Sequence, residues 1–200
     1  EHGRHVAANG LEGEFLLFGD AAESSAGALV FLHADDGADT FDEWVGPEVR
    51  ALAARHGLFL VSLREPDGGC WWAPRGEDDT AFLVDFLRFR VVGAWGADPR
   101  RIFLAGKSGG GFFASGVPAL SGFAFGGAVI ALCGGDVPRR NGGDCATESD
   151  APEADVPVVG ADPEAVAYWF AGTRGDAWFS YAVDAAVRLR DAGAPVVLRD

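Results

Sequence analysis

The chain has 200 residues, 48% apolar and 12% aromatic, enough to bury one core in a single domain spanning residues 1 to 200. Sixteen basic against thirty acidic residues give a net charge of -14, which repels phosphate backbones and anionic lipid surfaces and argues against nucleic acid as a partner. The longest apolar runs, Leu58 to Val61 and Ala128 to Cys133, fall far short of the roughly 20 residues that cross a bilayer, so no membrane partner is expected.

Methionine is absent even from position 1, so Glu1 is expected to be a processed or trimmed end, with a signal peptide already removed. Of the three cysteines, Cys133 and Cys145 are close enough in sequence to close a small loop, which implies an oxidising compartment and leaves Cys70 odd. Three buried free thiols are the alternative. No CxxC pair or Cys/His cluster suggests a metal, and no cofactor is implied.

In chain order, residues 5 to 19 read as an antiparallel pair turning at Asn9-Gly10, and Ala28 to Leu32 as the first buried strand. A helix follows, with Pro47 in its first turn, Val49, Leu52 and Ala53 at helical spacing and Gly57 as its stop. Leu58 to Leu63 is the next strand. The loop Arg64 to Gly76 carries Pro66, Gly68, Gly69 and the pair Trp71-Trp72, and Asp78 or Asp79 is placed to cap a helix whose apolar face is Phe82, Leu83, Phe86, Leu87 and Val91.

Arg101 to Ala105 reads as a short strand, followed by strands over Phe125 to Leu132, Val166 to Ala171 and Pro195 to Arg199, with a helix near Trp178 to Ala192. Gly134 to Glu164 is rich in Asp, Glu, Gly and Pro and reads as a long surface loop, with room for a short strand at Val156 to Val159. Alternating strands and helices predict an α/β fold, a mainly parallel sheet with helices on both faces.

The segment Gly106-Lys107-Ser108-Gly109-Gly110 is a G-x-S-x-G at a predicted strand-to-helix junction. A tight turn there lifts a serine hydroxyl clear of the sheet and needs small residues on both sides, which makes Ser108 the candidate nucleophile. A phosphate-binding loop would need glycine five residues before Gly106, where Arg101 stands. Acyl transfer also needs backbone N–H donors for the developing oxyanion, and Gly109 and Asp35 are the candidates.

The acid of such a site follows a late strand, and Asp176 lies just past the strand ending at Ala171; a helix N-cap is its plainer role. His33 reads as a brace of its loop rather than a base. Trp71 and Trp72 are candidates to line a substrate pocket, with core packing as the alternative.

Together, Leu29 to Gly37, Trp71-Trp72 through Asp78-Asp79 to Phe82, Asp98-Pro99-Arg100-Arg101 leading into Ser108, and Gly172 to Asp176 resemble the secreted esterases of the α/β-hydrolase group that includes feruloyl esterases and polyhydroxybutyrate depolymerases. The resemblance implies a secreted serine hydrolase of small or polymeric esters with a Ser-His-Asp triad. Two departures stand out. Ala34 replaces the family's usual glycine, and the family's catalytic histidine follows the last strand, whereas residue 200 falls where that strand ends. The four histidines are His2, His5, His33 and His56, so the C-terminal part carrying the base is expected to be missing. A noncatalytic binding module on this fold and a peptidase or thioesterase are the rival readings.

Overall fold

Continuous apolar runs predict strands buried on both faces, and the computed structural model places them at the centre of one eight-stranded sheet. It describes residues 1–21, 27–35, 45–67, 69–71, 76–121, 127–132, 167–175 and 179–200. The strands are β1 (His2–Val6), β2 (Glu12–Phe18), β3 (Gly27–Leu32), β4 (Leu58–Leu63), β5 (Ile102–Lys107), β6 (Ala128–Leu132), β7 (Ala167–Ala171) and β8 (Val196–Arg199), in the order β1-β2-β4-β3-β5-β6-β7-β8. Every residue of β3 is buried, whereas β2 alternates, as its alternating sequence requires. β1 and β2 are antiparallel and the other six strands run parallel. The expected hairpin is present, with Gly10 in its turn at φ +85°.

The helices are α1 (Pro47–Arg55), α2 (Gly76–Asp85), α3 (Gly109–Ser121) and α4 (Phe179–Asp191). Right-handed crossovers decide which face each one covers. The links from β4 to β5, β5 to β6 and β7 to β8 run one way across the sheet, and residues of α2, α3 and α4 share a core with Val30, Leu32, Leu104, Val129 and Phe170. The link from β3 to β4 runs the other way, so α1 lies on the opposite face, where Ala53 and Val49 pack with Leu29, Phe31 and Leu60.

Three local expectations are corrected. The second helix begins at Gly76, so Asp78 and Asp79 lie inside its first turn instead of capping it; their charge still suits a helix N-terminus. The same helix continues as a π-helix over Phe86–Ala94, and Trp95 N–H donates to the Arg90 carbonyl five residues back. Phe82, Leu83, Phe86, Leu87 and Val91 are buried along this joined element, and Phe15, Phe59 and Phe86 all pack around Trp95. Finally, Cys70 is not odd: it is disulfide-bonded and 2% exposed, while Cys133 and Cys145 lie outside the described residues. The expected loop Gly134 to Glu164 also lies outside them.

Candidate active site

Parallel register aligns the strand ends. Leu32 pairs with Leu63 on one side and Gly106 on the other, Lys107 with Leu132, Leu132 with Ala171, and Ala171 with Arg199. The residues that follow these positions therefore emerge at one carboxyl edge, where open α/β sheets bind ligands. His33 to Asp35 leave β3 there, Arg64 and Glu65 leave β4, Ser108 leaves β5 and Gly172 to Gly175 leave β7.

Ser108 forms the entire turn between β5 and α3. Its φ of +51° is the only positive value at a non-glycine among the described residues, a conformation that side chains avoid unless the surroundings enforce it. Ser108 N–H donates to the Leu132 carbonyl at 2.8 Å, and its own carbonyl accepts from Gly111 N–H at 2.8 Å and Phe112 N–H at 2.9 Å. The turn closes so tightly that a Cβ at Gly106 would lie 2.2 Å from the Gly110 oxygen. At Gly110 it would lie 2.3 Å from the His33 oxygen and 2.5 Å from that of Leu32, so only glycine lets α3 start this close to β3. Ser108 itself is partly exposed.

Asp35 and Gly109 are brought together. The Asp35 carboxylate rests on Gly109, its Oδ1 only 1.8 Å from the place a Gly109 Cβ would take. Each N–H thus belongs to a residue beside the serine turn. Asp176 and Trp72 lie outside the described residues. At the same edge Gly172 N–H donates to the Arg199 carbonyl, and the Arg174 guanidinium pairs with the Asp200 carboxylate.

Trp71 does not line a pocket. It is 0% exposed, stacks on Phe113 of α3 with centroids 5.4 Å apart and 21° between planes, and packs against His33 at 5.4 Å. Burying so large a ring stabilises the loop that carries it, and core packing is the role its position assigns.

All four histidines are placed. His5 hydrogen-bonds Asp85 at 2.7 Å and packs on Phe82 and Phe86. His2 lies 3.7 Å from Glu14. His56 ends α1 before β4 begins, at the amino edge of the sheet, and its carbonyl accepts from Arg101. His33 is fully buried; Nδ1 donates to the Ala34 carbonyl at 2.6 Å and Nε2 accepts the Glu65 N–H at 3.0 Å. Burial holds its pKa below the usual histidine value, opposed in part by the bond to Ala34 and assisted by the nearby Arg64 charge.

Sequence reasoning missed Glu65. It is 3% exposed, and its Oε2 accepts the Gly69 N–H at 2.8 Å. A glutamate just past a strand and before proline reads as a solvated loop residue, and only the fold buries it. Among the described residues, no group of three or more His, Cys, Asp or Glu side chains could hold a metal, and no helix is long and apolar enough to cross a membrane.

A mainly parallel sheet with a strained serine turn at its carboxyl edge and helices on both faces is the α/β-hydrolase fold, and this chain has it. No protein-family model matches the sequence, and no curated protein matches it. Solved structures do. A bacterial heroin esterase superposes with a TM-score of 0.69 at 18% identity, over 100% of this chain and 73% of its own. A ferulic acid esterase gives 0.69 at 17% identity, over 100% of this chain and 88% of its own. An acylaminoacyl peptidase of Pyrococcus horikoshii gives 0.66 at 15% identity, over 100% of this chain and 36% of its own. At such identities the likeness establishes the fold, one that carboxylic ester hydrolases use.

Proposed function

We propose that the chain is a serine hydrolase that cleaves carboxylic esters, with Ser108 as its nucleophile. The observation that carries this reading is the left-handed Ser108 between β5 and α3, beside Gly109 and Asp35. The serine Oγ attacks the ester carbonyl carbon while its proton passes to a histidine, and the N–H groups of Gly109 and Asp35 receive the oxyanion. Collapse expels the alcohol, which takes up that proton. Water, deprotonated by the same histidine, then releases the acid and regenerates the serine.

None of the four histidines within residues 1 to 200 suits this task. His33 has both ring nitrogens engaged, His5 is bound to Asp85, His2 lies on the edge strand β1 beside Glu14, and His56 is at the opposite edge of the sheet. In this reading the base is a histidine outside residues 1 to 200, with Asp176 orienting it. Small or polymeric esters are the proposed substrates, with Trp72 as a candidate to contact them. The disulfide at Cys70 supports a secreted or extracytoplasmic location, where such bonds persist. No nucleic-acid or membrane partner enters this reading.

The test is the intact mass of the natural gene product before and after a fluorophosphonate, with Ser108→Ala as control, followed by ester, thioester and peptide substrates. One adduct that depends on Ser108, with turnover of esters, is expected. Removing a triad nucleophile costs on the order of a million-fold in turnover. Adduct formation with peptide turnover alone would place the chain with peptidases, as one neighbour is named. A protein that takes up no adduct would sink the esterase reading and leave a noncatalytic binding module as the leading alternative.

A further inference from the structure

We propose that His33 and Glu65 form a positioning pair that aims the Asp35 N–H at the reacting centre. The proposal rests on the esterase reading for its catalytic consequence, though not for its geometry. The Ala34 carbonyl and the Asp35 N–H belong to one planar peptide and point in opposite directions. His33 Nδ1–H holds that carbonyl at 2.6 Å. Fixing one end of the peptide fixes the direction of the other.

Such a hold requires one tautomer, with the proton on Nδ1. Glu65 imposes it, because its backbone N–H donates to Nε2 at 3.0 Å and leaves that nitrogen only an acceptor's role. A protonated ring would set an Nε2–H against the Glu65 N–H, two donors face to face, in a site with no exposure to solvent. The downward pKa shift produced by burial acts in the same sense.

Glu65 must itself be held, and its carboxylate accepts Gly69 N–H at 2.8 Å, closing a short turn that leads to the disulfide at Cys70 and to Trp71. Trp71 packs on the His33 ring and stacks on Phe113 of α3, while the His33 carbonyl lies against Gly110. The loops after β3 and β4 and the helix bearing the serine turn are thus one interlocked unit. Neither His33 nor Glu65 contacts the reacting atoms in this scheme. Each acts through the Ala34–Asp35 peptide.

The experiment uses the natural full-length protein with 15N-labelled histidine. Ring-nitrogen shifts of His33, assigned by loss of its signals in His33→Leu, are expected to show a neutral ring protonated on Nδ1 from about pH 6 to about pH 8. A charged ring or an Nε2–H tautomer in that range overturns the proposal, whether or not the protein hydrolyses esters. For catalysis, His33→Leu is expected to lower kcat about 100-fold with KM changed less than about threefold, the signature of a misaimed oxyanion donor. His33→Asn, whose amide N–H can replace Nδ1–H, is expected to recover at least about tenfold of that loss at the same melting temperature. Equal kcat in the two variants, or a loss confined to KM, refutes the aiming role. If the wild type takes up no fluorophosphonate, the esterase reading fails while the tautomer result still decides the pair.

Discussion

Gly110→Ala tests whether the serine turn depends on the approach of α3 to β3. The added methyl would stand 2.3 Å from the His33 oxygen and 2.5 Å from that of Leu32. Carbon–oxygen contacts of this kind essentially stop at 3.0 Å, so helix and strand must part by about 0.7 Å (3.0 − 2.3). The strand cannot give way easily, because β3 is hydrogen-bonded to β4 on one side and β5 on the other. Overpacking typically costs about 1–3 kcal/mol, and alanine recovers up to about 1 kcal/mol over glycine within a helix. With backbone on both sides of the clash the net cost should be about 2 kcal/mol, or about 4–8 °C in Tm for a domain of this size. Because Ser108 and Gly109 move with the start of α3, kcat should fall about 100-fold. Differential scanning calorimetry is the assay, with Gly175→Ala as control because a methyl there meets nothing within 4 Å. A Gly110→Ala protein that melts within about 1 °C of wild type would refute the close-packing argument.

Three further outcomes follow from the same geometry. Asp35→Asn keeps the backbone N–H but removes a charge lying against Gly109; a like charge about 5 Å from an oxyanion costs about 3 kcal/mol at an effective dielectric of about 20, discounted here to about 1 kcal/mol for partial exposure. The kcat should therefore rise about fivefold, and a fall would contradict the placement of the oxyanion. Tyr168 is 4% exposed and burial pushes its pKa up to about 12. Its folded state disfavours the phenolate, so this contribution to stability is complete below about pH 10 and lost as pH rises toward 12, by up to about 2–3 kcal/mol. Denaturant melts at about pH 9 and about pH 11 should differ less in Tyr168→Phe than in wild type. Reducing the disulfide at Cys70 should destabilise the fold by about 2–4 kcal/mol, and a melting curve unmoved by a phosphine reductant would show that the bridge constrains little.

The sequence by itself determined the parallel strands and the serine turn. Leu58–Leu63 could be read to the residue because a strand buried on both faces must be continuously apolar, and Gly106 to Gly110 could be read because a turn this tight tolerates only small side chains. Both are local constraints, and local constraints leave a mark in the residues that obey them. Tertiary structure decided the rest. Trp71 was equally consistent with a pocket wall or with the core until Phe113, some forty positions later, was stacked against it. The pairing of Cys70 is likewise set from a distance, since the other cysteines stand at positions 133 and 145. His33 is held by a backbone N–H from the next strand's loop, and any residue but proline could supply that donor, so no side chain records the contact. Composition and spacing reveal what a segment needs of its own backbone, whereas the partners that fix a tautomer or bury a charge arrive only when the strands align.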